Sequence, residues 1–223
     1  MLKQMQRKTG VGRARGARFA WITDAAVGPP NSTCEREILR TERFVALPSL
    51  GALVPGWTLL VPRRPILSLA ETTSQERVEL AQLADTIAKR VRTEDNQVFC
   101  FEHGSREVGS ATGCGVDQAH LHVVPLPFDL IAAAFACIDG AIAWSNPVRA
   151  QRPLDLLPVV GEYVAIWRVA DRLTMIGNVR RPVSQWVRRV IAANLGIGEE
   201  WNYRTHPQAH NVNLTLMMLA ETP

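Results

Sequence analysis

The chain has 223 residues, 47% of them hydrophobic, 21% charged and 6% aromatic, which supplies an apolar core and excludes collagen-like, disulfide-scaffold and disordered classes. Its net charge of +4 is generated by the first twenty residues, where Lys3, Arg7, Lys8, Arg13, Arg15 and Arg18 stand with no acid, so residues 21–223 carry −2. Residues 1–20 read as a basic disordered tail on a near-neutral body, which excludes a broad phosphate-backbone surface and removes nucleic acid from the expected partners.

Gly28-Pro29-Pro30-Asn31-Ser32 breaks the chain before any regular element. Ile38–Leu47 then reads as a strand or strand pair, and Gly56–Val61, ended by Pro62, as an adjacent antiparallel strand. The uncharged run Phe44–Pro62 contains Pro48, Gly51, Pro55 and Gly56, which makes it strand-turn-strand and not a membrane span. From Ser68 to Arg92 the period changes: Leu69, Val78, Leu80, Leu83, Ile87 and Val91 recur at helical spacing. Val98–Glu102 is a third strand, a glycine-punctuated loop runs from Gly104 to Gly115, and Gln118–Val124 reads as a strand closed by Pro125. Beyond it, Asp129–Ile142 reads as a helix, Tyr163–Val169 and Arg172–Ile176 as a strand pair, and Val183–Leu195 as an amphipathic helix stopped by Gly196. Cys34, Cys100, Cys114 and Cys137 are far apart with no C-x-x-C pair, the pattern of reduced thiols in a cytoplasmic protein.

On a strand, residues two apart share a face, so Gln118, His120 and His122 are expected to project together, opposite Ala119, Leu121 and Val123. Imidazoles paired on one face beside a glycine-rich loop suggest phosphate chemistry, because glycine lets backbone N–H groups approach an anion closely. The segment Gln118-Ala119-His120-Leu121-His122-Val123-Val124-Pro125 resembles the H-x-H-x-H signature strand of the histidine-triad (HIT) superfamily, with glutamine in place of the first histidine. Leu53-Val54-Pro55-Gly56-Trp57-Thr58-Leu59-Leu60-Val61-Pro62 is similar to the family's P-G-H-x-L-V-x-P strand, and Phe101-Glu102-His103-Gly104 follows in the family's order, so the likeness covers roughly residues 36–127.

The resemblance implies an α+β fold, a HIT-like antiparallel sheet with flanking helices, plus a packed α/β C-terminal extension. The implied division is a tail over 1–20, a HIT-like domain over 21–127 and an extension over 128–223. It implies a nucleotide or nucleotide-conjugate as the small-molecule partner and a nucleotide hydrolase or nucleotidyltransferase in which His120 attacks phosphorus. His122 would bond phosphate or leaving-group oxygens, Gln118 would take the remaining triad position, and backbone groups at Gly113, Cys114 and Gly115, with Ser105, would stabilise the phosphoryl oxygens. Ser49 stands near the ribose position, Trp57 offers a stacking surface, and Glu102 stands near a phosphate-contacting position where a carboxylate repels unless turned away or neutralised. Arg63 and Arg64 are further phosphate candidates, whereas Arg188 and Arg189 read as helix-surface charges and Trp186, Trp201 and Tyr203 as packing residues. No cofactor is implied, and a homodimer is left open, with the extension as a substitute for the partner. Two other readings stand beside this one: a noncatalytic nucleotide sensor on the same fold, and a metal-dependent enzyme using His103, His120 and His122.

Overall fold

The computed structural model describes residues 18–30 and 32–220. Most of the expected tail therefore lies outside the described residues, but Arg18, Phe19 and Ala20 belong to the fold: Phe19 is buried and leads into the short helix α1 (Ala20–Thr23). The chain continues through β1 (Leu39–Arg40), β2 (Phe44–Pro48), β3 (Thr58–Pro62), α2 (Ser74–Val91), β4 (Gln97–Gly104) and β5 (Leu121–Leu126). It then forms α3 (Leu130–Ala136), β6 (Ile142–Trp144), β7 (Val148–Arg149), β8 (Tyr163–Arg168), β9 (Leu173–Val179), α4 (Trp186–Asn194) and α5 (Ala209–Leu219).

The strands make one antiparallel sheet in the order β1-β2-β3-β5-β4-β8-β9-β6, with β7 also pairing β9. The extension is thus continuous with the first half of the chain: β8 takes the outer edge of β4, from Phe99 opposite Arg168 to Gly104 opposite Tyr163. Alternation along each strand divides the core into layers. Ala46, Leu60, Cys100, Leu121, Val123 and Ala165 meet α2 on one face. Phe99, Phe101, Val124 and Ile166 meet α3 and α4 on the other, where Val45, Leu47, Leu59 and Val61 also receive Phe19 and Ile22. Among the described residues no helix is long and apolar enough to cross a membrane.

Local chemistry explains where three elements depart from expectation. The helix expected from Ser68 is split because Ser68 caps a single turn with Glu71, and Thr73 then starts α2 in a second reciprocal cap with Glu76. The helix expected over 129–142 stops after Ala136. Asp129 caps its start, but Gly140 adopts a φ of +69° and Ile142–Trp144 turns back to pair with β9. The strand expected from Gln118 begins only at Leu121, so Gln118, Ala119 and His120 form the approach to the ladder.

Candidate functional site

Three imidazoles converge at the end of β4 and the start of β5, on the face covered by α1 and α4. His122 lies opposite Leu59 of β3 and Phe101 of β4, and its ring stacks on Phe101 at 4.1 Å between centroids and 8° between planes. The His120 and His122 rings are 4.8 Å apart, and His103 is 6.3 Å from His122. All three are held well toward the neutral form, chiefly by burial: His120 is lowered to about 4, His103 to about 3, and His122 well below its ordinary value.

Each neutral ring carries one N–H, and its neighbours decide which nitrogen has it. His120 Nδ1 lies 2.9 Å from the backbone carbonyl of Gln118; a carbonyl only accepts, so Nδ1 holds the proton and Nε2 the lone pair. The indole N–H of Trp57 donates to His122 Nδ1 at 3.0 Å; an indole only donates, so the proton of His122 is on Nε2. His103 Nε2 accepts the Val187 amide N–H at the start of α4, at 3.3 Å. Adjacent imidazoles are thereby fixed in opposite tautomers, one presenting a lone pair and the other a donor.

Two arginines from outside the strands complete the site. Arg188 of α4 is 3% exposed yet forms no ion pair among the described residues. It donates to the carbonyls of Gly51 and Trp201 and lies 4.8 Å from the Trp57 ring, and burial lowers its pKa to about 10, so it stays charged. Arg18 donates from Nε to Glu35 at 2.8 Å, while its buried Nη2 has no hydrogen-bond partner among the described residues. Tyr203 sits between them, about 6 Å from each guanidinium. It reaches the site because Gly51, at φ +68°, has no Cβ: one there would stand 2.6 Å from Tyr203 Cβ.

These groups, with Ser49, Leu59, Cys114, Val116 and Gln185, line a cavity of about 20 Å³, room for about one water. A larger ligand requires Arg18 or Tyr203 to move. A more open cavity of about 520 Å³ beside α2 contains Asp85, Arg168, Asp171 and Arg172, but these charges pair with one another, Arg172 to Asp85 at 2.7 Å and Arg168 to Asp171 at 2.9 Å.

His120, His122, Ser49, Trp57 and Cys114 are brought together, and Trp57 acts as hydrogen-bond donor to His122 where a stacking surface was expected. The Gln118 side chain donates to the carbonyls of Pro62 and Arg64 at 3.0 and 2.9 Å, and its backbone carbonyl serves His120. Glu102 points from the opposite face of β4, where it accepts from the Leu69 amide at 2.6 Å and the Tyr163 hydroxyl at 2.5 Å, so it meets no ligand here. The expected backbone cradle is closed on itself: the amides of Cys114, Gly115 and Val116 donate to the carbonyls of Ala111, Ser110 and Gly113. Gly113 packs against Ser105, whose hydroxyl is held by Glu107 and Glu162, away from the cavity. Cys114 accepts the Gln185 amide at Sγ, and burial raises its pKa, so it remains a thiol. Arg64 is engaged by Glu76, and Arg63 by the Glu42 carbonyl.

Among the described residues no three His, Cys, Asp or Glu side chains are arranged to hold a metal ion, which corrects the reading of His103, His120 and His122 as a ligand set. Arg188 corrects a surface reading of the opposite kind. Ile191 and Ala192, three and four positions on, are buried, and helical spacing alone would have set Arg188 on that inward face. Arg18 had no such signal.

The family model described as HIT domain matches residues 33–128. No curated protein matches the chain. Solved structures similar to it include a hypothetical protein from Leishmania major, 18% identical with a TM-score of 0.39, covering 51% of this chain and 75% of that one. A Hit-like protein involved in cell-cycle regulation from Bartonella henselae is 18% identical with a TM-score of 0.35 over 49% and 78% of the two chains. Yeast Ap4A phosphorylase Apa2 is 10% identical with a TM-score of 0.43 over 83% and 76%.

Proposed function

From the match of residues 33–128 to the HIT domain model we propose that the chain is a nucleotide-processing enzyme acting at a phosphorus centre through a covalent nucleotidyl intermediate on His120. The observation that carries the reading is the bond from His120 Nδ1 to the Gln118 carbonyl. It leaves the Nε2 lone pair on a half-buried ring that lines the cavity, and a pKa of about 4 keeps that lone pair free at neutral pH.

In this reading His122 donates its Nε2–H to a phosphoryl or leaving-group oxygen, and Arg188 and Arg18 balance the anion. An unpaired buried cation is costly alone and favourable beside a phosphate. Ser49 borders the ligand, and Gln118 acts through its carbonyl as the positioning residue for His120. The unpaired thiols of Cys100, Cys114 and Cys137 support a reducing compartment such as the cytoplasm. The outer edge of β4 is taken by β8, so a homodimer would form through another surface.

The test is intact-mass analysis after incubation with nucleoside di- and triphosphates and dinucleoside polyphosphates. A nucleotidyl adduct that is absent in His120→Ala and retained in Cys114→Ala supports the enzyme. The closed cavity and the averted Gln118 amide favour a second reading, a noncatalytic nucleotide-binding protein, and ligand binding without adduct or turnover would select it.

A further inference from the structure

We infer that the α2 face of the sheet, opposite the imidazoles, holds a second ligand site, which takes a small organic acid with an apolar body. The inference does not depend on the role of His120.

The site begins in the spacing of one helix. Val78, Ala81, Asp85, Lys89 and Arg92 follow one another three or four residues apart along α2 and its C-cap, so they share a stripe that is apolar in the early turns and basic at the end. Two cavities open along that stripe. The smaller, about 200 Å³, lies between α2 and residues 151–155, with Leu121, Leu154 and Trp167 buried at its walls. The larger, about 520 Å³, lies at the C-terminal end of α2, beside the turn between β8 and β9. Asp85 and Arg172 line both, so the two adjoin. Together they fall within the size of small-molecule sites, about 300–1,000 Å³, and share the usual make-up of an apolar wall with a few charges.

Charge decides the kind of ligand. The larger cavity sets Lys89, Arg92, Arg168 and Arg172 against Asp85 and Asp171, and the smaller adds Arg77 and Arg152 against Asp155. Each carboxylate is already matched: Asp85 by Arg172, Asp155 by Arg77 and Arg152, and Asp171 by Arg168 and Arg149. Lys89 and Arg92 are left over, exposed and in no ion pair among the described residues. Arg172 is only partly used. Its Nη2 alone donates to Asp85, at 2.8 and 2.7 Å, while Nε and Nη1 form no hydrogen bond among the described residues. Residues 21–223 carry a net −2, so this groove concentrates positive charge on a body of the opposite sign. An acid whose apolar part enters the smaller cavity against Leu154 and Trp167 brings its anion to the shared wall. There Arg172 offers its free guanidinium edge, and Lys89 and Arg92 add charge. A cation would meet an excess of like charge, and a neutral molecule gains only the apolar wall.

The experiment titrates the full chain at low salt with 2-naphthoate and, as probes with the same apolar body, neutral 2-naphthamide and cationic 2-naphthylmethylammonium. NMR titration gives the affinities, and intermolecular NOEs give the position. The acid should bind with a Kd of about 1 mM or tighter, as ordinary ligand efficiency gives for a molecule of that size. The amide should bind at least fivefold more weakly and the ammonium more weakly still, and the naphthyl protons should show NOEs to the Trp167 indole and the Leu154 methyls. The double variant Lys89→Glu, Arg92→Glu, with both positions exposed, should weaken the acid at least fivefold with an unchanged circular dichroism spectrum. Ala81→Trp, which fills the smaller cavity, should weaken acid and amide alike; the wild-type NOEs stand without either variant. An amide within fivefold of the acid, NOEs to other residues, or no binding of the acid by about 10 mM would overturn the inference. So would binding that survives both variants, which would place the acid elsewhere, as on the basic residues 1–20.

Discussion

Replacing Arg188 by methionine keeps an aliphatic stem against the Trp57 ring and removes a cation that has no carboxylate partner among the described residues. Folding loses the bonds to the Gly51 and Trp201 carbonyls, about 1.5–3 kcal/mol each as charge-assisted contacts. It regains the desolvation cost of an unpaired buried ion, also several kcal/mol, so the net change in stability should stay within about 2 kcal/mol. Binding has no such offset. A unit charge about 4 Å from a phosphoryl anion is worth about 4 kcal/mol at an effective dielectric near 20. With Arg18 still present we expect roughly a 100-fold fall in kcat/KM, about 2.7 kcal/mol. Steady-state turnover of a nucleoside phosphoanhydride, paired with a ligand-free thermal midpoint, separates the two effects. Arg188→Lys should recover part of the activity. A kcat/KM within threefold of wild type in a folded Arg188→Met protein would refute the assignment.

Three further outcomes are expected. Burial pushes the Glu102 carboxyl up to about 7, so the folded state binds that proton more tightly than the unfolded chain does. The stabilisation is full below about pH 4.5 and declines by about 3 kcal/mol as pH rises through 7. The urea-derived stability difference between wild type and Glu102→Gln should follow that curve, and a flat difference contradicts it. Because burial and Arg18 hold His120 to about 4, kcat/KM should be level from about pH 6 to 8 and fall tenfold per unit below about pH 4, as Nε2 is protonated; a midpoint near 6.5 in a pH-rate profile counts against the buried ring. Phe19→Ala should destabilise by about 3–5 kcal/mol in urea unfolding, since Phe19 is 2% exposed against Leu47 and Leu59, with its ring 5.7 Å from His120; a loss under 1 kcal/mol would mean that the segment does not pack there.

Much of the sheet was legible because apolar alternation and helical spacing are local signals. Leu121 and Val123 face α2 as their positions in the sequence require, and His122 faces the other way. Gln118 was misread because a period of two was extended past the end of the ladder, where the backbone no longer obeys it. Helix α5 was not read at all: polar and apolar residues alternate through Ala209–Leu219, and the helix begins from Gln208 in a left-handed conformation with no side-chain cap. The electrostatics of the site were least legible. The Trp57–His122 bond joins residues 65 apart in sequence and the Arg188–Gly51 bond residues 137 apart, and a hydrogen bond that sets a tautomer leaves no mark on local composition. The opposite placement of Glu102 was recoverable, since it alternates with Phe101 and His103 on β4.

Long-range ¹H–¹⁵N correlation of the imidazole rings in ligand-free protein reads directly which nitrogen of His120 carries the proton. His120 is expected to carry its proton on Nδ1 with Nε2 bare at neutral pH, beside a His122 ring with the reverse assignment. A His120 ring protonated at Nε2, alone or on both nitrogens, would leave no lone pair for phosphorus and would contradict this assignment.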